Sequence, residues 1–356
     1  MSNLQHDSLI VRTWHEITVN ALESRASDIH IEPRSLQGEV RLRIDGQLIH
    51  QTQYPINLHE RLITRIKMLS RLDIAEKRIP QDGRLSIGHN FSKPDTNCRV
   101  SIIPTLHGEK AVVRILPNQV GDLSLEKLGL LPEQLDLFRH ALRQTNGLIL
   151  VTGPTGSGKT RTLYSCLNEL NQVNRNICSV EDPIEIQLPG INQVAYHPRA
   201  GLDFPTIIRA LLRQDPDVIM IGEIRDIASA QLAIQAAQTG HLVLSTLHTR
   251  NASGVLGRLK NLGIDSEAIE SCLRCVSSQR LVRQRCMQCI NYIKTDQCPQ
   301  CTSSGYFGRI GVHEVLAGSQ LFSSAPFLDL HSAGALAVKA GLIDQATLDA
   351  EVGTWH

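Results

Sequence analysis

Residues 153–160 have the composition and spacing of a phosphate-binding loop. Their sequence, Gly-Pro-Thr-Gly-Ser-Gly-Lys-Thr, fits the pattern G-x-x-x-x-G-K-[ST]. Glycines let backbone N–H groups turn around phosphates, and a helix that starts there adds the positive end of its dipole. In such a loop Lys159 reaches the β- and γ-phosphates and the Thr160 hydroxyl ligates Mg²⁺. An unliganded Gly/Ser loop is the alternative. The motif predicts an ATP and Mg²⁺ site formed by Gly153, Pro154, Thr155, Gly156, Ser157, Gly158, Lys159 and Thr160.

Carboxylates follow two predicted buried strands. Glu181-Asp182-Pro183-Ile184-Glu185 comes after Ile-Cys-Ser-Val, and Glu223 comes after Asp-Val-Ile-Met-Ile-Gly. Sites of α/β proteins gather at the carboxyl ends of strands, and nucleotide hydrolysis needs acids that hold metal or orient water. Surface carboxylates without a role are the alternative for either segment alone. Beside a phosphate loop on the same sheet, the pattern favours a catalytic role.

Two histidines flank a fourth predicted strand. His241 opens it and His248 follows it. A lone histidine is usually a structural group, whereas two at one sheet edge would sense the γ-phosphate or couple it to a neighbouring subunit. The pattern leaves both interpretations open.

Four cysteines have the spacing of a zinc site. The order is Cys286-x2-Cys289-x8-Cys298-x2-Cys301. Two Cys-x-x-Cys pairs place four thiolates around one tetrahedral ion, so the pattern predicts a closed structural Zn²⁺ knuckle rather than unrelated thiols. Cys272 and Cys275 lie in a segment with apolar helical spacing and are expected to be small core residues.

The elements that must position these residues form two groups. Helical spacing predicts helices at 8–24 and 58–74, and alternation predicts strands near 40–44, 48–50, 84–87, 98–104 and 110–116. We expect a small α+β domain over 1–117, a linker at 118–125 and a larger domain over 126–356.

The second group alternates strands with helices. Strands are predicted at 147–152, 177–180, 217–221 and 241–245, and helices at 132–143, 160–172, 204–213 and 227–238. This alternation predicts an α/β fold with a parallel sheet covered by helices.

Composition limits the location and the partners. The 356 residues carry a net charge of +1, which does not favour binding to nucleic acid through bulk charge. No apolar run approaches the roughly 18 residues of a membrane span, and the polar start lacks a signal peptide. We therefore expect a cytoplasmic protein whose nine cysteines are reduced or bind metal.

Seven segments, in order, closely resemble the ATPases that power type II secretion, type IV pilus assembly and the competence pseudopilus. They are Ser27–Pro33, Pro80–Arg84, Gly153–Thr160, Val180–Glu185, Leu212–Asp217, Gly222–Asp226 and Thr239–Thr249. One departure is Arg161, where that family usually has threonine.

The resemblance implies a PAS-like N-terminal domain, a RecA-like motor domain and a homohexameric ring. It implies that Glu185 is the general base and that Glu223 is the acid that assists Mg²⁺. It also implies that arginines of the N-terminal domain reach the nucleotide, for which Arg84 and Arg99 fit, with Arg114 as a further candidate. Arg209 and Arg213 resemble arginines at the subunit boundary. Taken alone, each arginine is more often a solvated surface charge.

The resemblance also narrows the function. Assembly-type members carry a tetracysteine insert followed by a segment like Gly305–Gly311, whereas retraction-type members lack the insert. Only 26 residues precede Ser27, as in the short competence pseudopilus ATPases of Gram-positive bacteria. We therefore expect an assembly motor that acts at the cytoplasmic face of the membrane, through an inner-membrane platform protein and without direct contact to nucleic acid. The alternatives are a retraction ATPase, a type II secretion ATPase, a nucleic-acid motor and an inactive ring scaffold.

Overall fold

The computed structural model describes residues 2–88, 96–116, 122–290, 298, 300–301, 304–323 and 325–353. The chain divides into two compact units, Met1–Val120 and Gly121–His356. Part of the predicted linker at 118–125 lies outside the described residues, and the PAS-like and RecA-like assignments stay predictions. No described helix is both long and apolar enough to cross a membrane.

In its described part, the first unit is a six-stranded antiparallel sheet with two α-helices. Its elements are α1 (Ser2–Glu23), β1 (Asp28–Pro33), β2 (Gln37–Ile44), β3 (Gln47–Pro55), α2 (His59–Leu69), β4 (Gln81–Ile87), β5 (Thr96–Thr105) and β6 (Gly108–Ile115). The strand order is β3-β2-β1-β6-β5-β4. Asp45 and Gly46 both have positive φ, 47° and 88°, as the tight turn between β2 and β3 requires.

One face of this sheet forms the core of the unit. Residues such as Trp14 of α1 and Ile66 of α2 pack against alternate strand residues such as Ile29 and Val113. Side chains alternate across a strand, so the polar residues between these positions lie on the opposite face. The apolar residues with helical spacing and those with alternating strand spacing therefore pack together in one buried layer.

The second unit is a seven-stranded sheet with helices. Its elements are α3 (Pro132–Leu142), β7 (Gly147–Thr152), α4 (Lys159–Leu170), β8 (Ile177–Glu181), β9 (Asn192–Ala195), α5 (Phe204–Leu211), β10 (Val218–Ile221), α6 (Ile227–Gln238), β11 (Leu242–Leu247), α7 (Gly254–Asn261), α8 (Ser266–Cys272), β12 (Leu273–Arg285), α9 (Met287–Ile290), β13 (Tyr306–Ala317), α10 (Leu330–Lys339) and α11 (Gln345–Val352). The strand order is β13-β12-β7-β11-β10-β8-β9.

The predicted α/β character is confirmed, but the sheet of the second unit is mixed. Strands β7, β8, β10 and β11 run parallel and are buried along their whole length. Strand β13 runs antiparallel to β12 at one edge. The helical prediction around Cys272 and Cys275 is wrong beyond residue 272, because β12 begins at Leu273. Both cysteines are nevertheless buried in the core, as expected.

His313 on β13 is fully enclosed and should make stability depend on pH. Its Nε2 lies 3.0 Å from the Leu128 carbonyl oxygen and its Nδ1 3.3 Å from the Ser277 hydroxyl, so the neutral ring is satisfied. Burial lowers the pKa of His313 to about 4. Between pH 6.5, its ordinary pKa, and pH 4, this histidine is protonated in the unfolded chain but stays neutral in the folded protein. We therefore expect the free energy of unfolding to fall by about 3 kcal/mol as the pH drops from 7 to 4.

This prediction is checked by denaturant titrations at several pH values. The variant His313→Asn should lose most of the dependence between pH 4 and 6.5, although it will be less stable at pH 7. The matched variant His140→Asn, at an exposed histidine of α3, should keep the wild-type dependence. Equal slopes in all three proteins would contradict the assignment to His313.

Candidate nucleotide-binding site

A cavity of about 190 Å³ lies at the carboxyl ends of the parallel strands of the second unit. The loops after β7, β8, β10 and β11 converge there, as expected for ligand sites of α/β sheets. The cavity is lined by Lys159, Thr160, Leu163, Glu181, Asp182, Pro183, Glu185, Phe204, Met220, Gly222, Glu223, Thr246 and His248. The structure thus brings together the lysine, the threonine and the two glutamates that the sequence singled out.

The loop between β7 and α4 depends on backbone conformations that favour glycine. Gly153 and Gly158 have φ angles of 142° and 90°. A Cβ atom on Gly153 would lie 2.5 Å from the Gln279 carbonyl oxygen, so a side chain there would collide with backbone. The helix α4 begins at Lys159, directly after this turn.

Gln279 of β12 holds this loop in place. Its side-chain Nε2 donates to the Ser157 carbonyl oxygen at 2.6 Å, and its Oε1 accepts from the Thr162 hydroxyl at 2.8 Å. The glutamine is buried, so these bonds are shielded from water. Sequence reasoning missed Gln279, because it lies over 100 residues from the loop in a strand that was not predicted.

Lys159 lies over the loop. Its ammonium donates to the carbonyl oxygens of Gly153 and Pro154, each at 2.9 Å. Burial lowers the pKa of Lys159, and nearby Glu223 partly opposes this shift. A partly desolvated cation beside a helix N-terminus is a favourable partner for phosphate oxygens.

Glu181 and Glu185 differ in their surroundings. The Glu181 carboxylate is buried and accepts hydrogen bonds from Ser179, Tyr164 and Gln193. Glu185 is exposed at the cavity, and its backbone N–H donates to the Tyr164 hydroxyl at 3.2 Å. The bond between Asp182 and Pro183 is cis. Of the two glutamates, Glu185 is the one whose side chain is open to solvent.

Glu223 follows β10 and lies between two positively charged or chargeable groups. Arg225 pairs with its Oε1 and also lies 3.8 Å from Asp182. His248 Nε2 lies 3.8 Å from its Oε2. The pairing with Glu223 raises the pKa of Arg225, which stays charged. Nothing in the sequence pointed to Arg225 except the resemblance of its segment, Gly222–Asp226.

The two histidines lie at opposite ends of β11 and not at one sheet edge. His248 lines the cavity, whereas His241 precedes β11 at the opposite end of the strand. The His241 Nδ1 lies 2.9 Å from the Ala236 carbonyl oxygen, at the end of α6. This contact agrees with the structural interpretation of His241.

The predicted N-terminal arginines lie together in the first unit. Arg84 of β4 is directly opposite Arg99 of β5, which is directly opposite Arg114 of β6. Arg114 in turn faces Asp28 of β1 and bonds to it at 3.0 Å. Like charges on adjacent strands repel each other. Arg209 and Arg213 are exposed at the end of α5 in the second unit.

The four cysteines of the predicted knuckle converge. Their Sγ atoms all lie within 4.8 Å of one another. Cys286 and Cys298 are 3.9 Å apart at sulfur, and Cys289 and Cys301 are 3.4 Å apart. The backbone N–H of Cys301 lowers the pKa of the Cys298 thiol to about 6. Residues 291–297 and 299 of the intervening loop are outside the described residues.

A known family accounts for most of the chain. The family described as "Type II/IV secretion system protein" matches residues 3–325. The chain belongs to this family.

Curated relatives of this family member are about equally similar. The type II secretion system protein HxcR of Pseudomonas aeruginosa is 45% identical over 317 residues, with 87% of this chain and 67% of the relative covered. The type IV pilus assembly ATPase PilB of Acinetobacter baylyi is 44% identical, with 88% and 58% covered. The HofB homologue of Haemophilus influenzae is 44% identical, with 98% and 74% covered. The family member described here thus spans from 58% to 74% of the length of these relatives.

Solved structures show the same fold. The ATPase DotB of Legionella pneumophila matches with a TM-score of 0.72 at 21% identity, covering 93% of this chain and 92% of that one. The pilus retraction motor PilT, solved with bound ADP, matches with a TM-score of 0.65 at 26% identity, covering 94% and 95%.

Proposed function

We propose that this protein is an ATPase whose turnover drives assembly of a pilus or pseudopilus fibre. The observation that carries the ATPase proposal is the single cavity that brings together Lys159, Thr160, Glu185 and Glu223. Membership of the secretion family and the ADP bound to the similar motor PilT support a nucleotide as the ligand.

The cavity residues divide the work between binding and proton transfer. Lys159 and the N-terminus of α4 bind phosphate oxygens, and the Thr160 hydroxyl is the metal ligand next to them. Mg²⁺, when bound, neutralises negative charge on the phosphates. Glu223 would help to hold the Mg²⁺ through its Oε2, because Arg225 already binds its Oε1. Glu185 orients the attacking water and accepts its proton on the exposed carboxylate.

The proposal also gives the arginine row of the first unit a role in nucleotide binding. In a homohexameric ring, Arg84, Arg99 and Arg114 of one copy would meet the nucleotide of a neighbouring copy. Guanidinium groups suit phosphate because their planar fork donates two parallel hydrogen bonds. Arg209 and Arg213 would lie at the boundary between copies.

Assembly is favoured over retraction by the sequence relatives and by the cysteine cluster. PilB proteins named as type IV pilus assembly ATPases are 41–44% identical to this chain, whereas the retraction motor PilT is 26% identical. We infer an inner-membrane platform protein as the partner at the cytoplasmic face of the membrane. A competence pseudopilus is the narrower form of the proposal, and a type II secretion ATPase is the second candidate.

The proposal is tested in two steps. The purified protein should release phosphate from ATP in the presence of Mg²⁺ and lose this activity when EDTA is added. In its host, deletion of the gene should abolish surface fibres, and the gene should restore them. Phosphate release without any effect on fibres would support the secretion alternative, and no phosphate release would support an inactive scaffold.

The cysteine cluster should bind one structural Zn²⁺. A tetrahedral site with Zn–S bonds of about 2.3 Å needs sulfurs about 3.8 Å apart, close to the separations in the cluster. We expect about one zinc per chain by elemental analysis, and Cys298→Ser should lose the metal and lower the melting temperature. Cys178→Ser, at a buried cysteine outside the cluster, should keep the metal. A fully folded protein that purifies without zinc would contradict the site.

A further inference from the structure

We propose that Tyr164 is a positioning residue for Glu185 and that it acts through its phenolic hydroxyl. The inference rests on the proposed role of Glu185 in ATP hydrolysis. The sequence singled out no tyrosine, and Tyr164 does not line the cavity itself. It acts from behind the cavity wall.

Tyr164 connects the phosphate loop to the segment that carries Glu185. It lies on α4, five residues after Lys159, and its side chain is 1% exposed. Its hydroxyl contacts the Glu181 carboxylate at the end of β8 and accepts the backbone N–H of Glu185 at 3.2 Å. A rigid helix thus fixes the distance between the groups that bind phosphate and the backbone of the proposed base.

The direction of the hydrogen bonds follows from the chemistry of Glu181. This buried carboxylate also accepts the Ser179 hydroxyl at 2.6 Å and the Gln193 amide at 3.0 Å. The carboxylate oxygens of Glu181 accept these bonds, and the Tyr164 hydroxyl donates its proton to Oε2. The oxygen of that hydroxyl is then left with lone pairs for the N–H of Glu185. Burial and the bond to Glu181 raise the pKa of Tyr164, so the phenol keeps its proton.

Gln193 of β9 fixes the other end of the same segment. Its Oε1 accepts the backbone N–H of Leu188 at 2.8 Å, and its Nε2 donates to the Ile186 carbonyl oxygen at 3.0 Å. The same Nε2 also donates to Glu181. Both Tyr164 and Gln193 therefore attach residues 185–188 to the buried Glu181 carboxylate. The backbone of Glu185 is held in place even though its side chain is exposed.

This arrangement assigns different roles to the two glutamates. Glu181 is a buried acceptor whose carboxylate is already engaged by three donors, which makes it a poor proton acceptor for water. Glu185 has an exposed carboxylate on a backbone that Tyr164 and Gln193 fix. Because catalytic groups must be held close to the productive geometry, loss of one of these bonds should slow the reaction without weakening nucleotide binding.

The test is the variant Tyr164→Phe in the full-length protein. We expect kcat for ATP hydrolysis to fall about 10-fold and KM for ATP to change less than about twofold, since one hydrogen bond is lost. Gln193→Met should likewise lower kcat with little change in KM, which keeps the proposal testable if one variant folds poorly. Tyr54→Phe is the matched control. It also loses a buried hydroxyl, which bonds to His59 at 2.7 Å, and should keep kcat within about twofold.

A double variant separates positioning from a structural effect. In the Glu185→Gln background, single-turnover phosphate release should not slow further when Tyr164→Phe is added, because the group that Tyr164 positions is already lost. A further 10-fold loss would overturn the proposal, as would an unchanged kcat or a selective rise of KM in Tyr164→Phe. Absence of hydrolysis by the wild-type protein would overturn the proposed function as well, whereas a normal rate in Tyr164→Phe would overturn only the positioning role.

Discussion

Replacing Lys159 with alanine should abolish measurable ATP turnover. The Lys159 ammonium lies within 2.9 Å of two carbonyl oxygens of the phosphate loop, at the N-terminus of α4. Burial lowers the pKa of Lys159, which shows that its ammonium is partly desolvated before any ligand binds. A bound phosphate would gain the full interaction with it. We expect at least about a 100-fold loss of kcat, together with weaker nucleotide binding.

The measurement is phosphate release at saturating ATP, with nucleotide affinity followed separately by a fluorescent ATP analogue. The matched control is Arg161→Ala, which removes a cation two residues away on the same helix. Arg161 is exposed and donates to the Asp122 carbonyl oxygen at 3.1 Å, so its loss should leave the rate within about twofold. A Lys159→Ala protein with wild-type turnover would contradict the assignment of the whole cavity.

The sequence was sufficient for the parts of this site that are formed by neighbouring residues. The phosphate loop, the buried strand before it and the helix after it are all local patterns, and the structure contains β7 and α4 at those places. Glu185 and Glu223 each follow a short apolar strand. Parallel strands end at one edge of a sheet, so these three separate segments could be placed at one cavity without knowing their contacts.

Other features depend on contacts between residues that are distant in the sequence. Gln279 supports the loop from β12. The first residues of this strand have apolar helical spacing, and its strand conformation follows from its pairing with β7 and β13. The hydrogen bonds among Tyr164, Glu181 and Gln193 join α4, β8 and β9. No sequence pattern within one of these elements predicts these bonds. Tertiary pairing decides both of these cases. The two histidines differ from them, because His248 follows β11 at its carboxyl end and lines the cavity, whereas His241 precedes the strand at its other end.

Replacing Glu185 with glutamine should separate ATP binding from ATP hydrolysis. Glu185 is exposed and lines the same cavity as Lys159 and Thr160, and its backbone is held by Tyr164. Glutamine keeps nearly the same shape and size but cannot accept a proton from water at neutral pH. If Glu185 is the general base, kcat should fall by about 10² to 10⁴ while nucleotide affinity stays within about twofold.

Glu181→Gln is the informative comparison for this prediction, because the two glutamates are only four residues apart. Glu181 accepts three hydrogen bonds in a buried site. In Glu181→Gln the side-chain NH₂ group would face one of these donors, so the variant should have a lower melting temperature. Glu185→Gln should keep the wild-type melting temperature, since its side chain is exposed. Loss of nucleotide binding in Glu185→Gln would instead mean that this carboxylate shapes the binding site. Normal hydrolysis in the same variant would transfer the role of proton acceptor to Glu223, which also lines the cavity and whose Oε2 lies 3.8 Å from His248 Nε2.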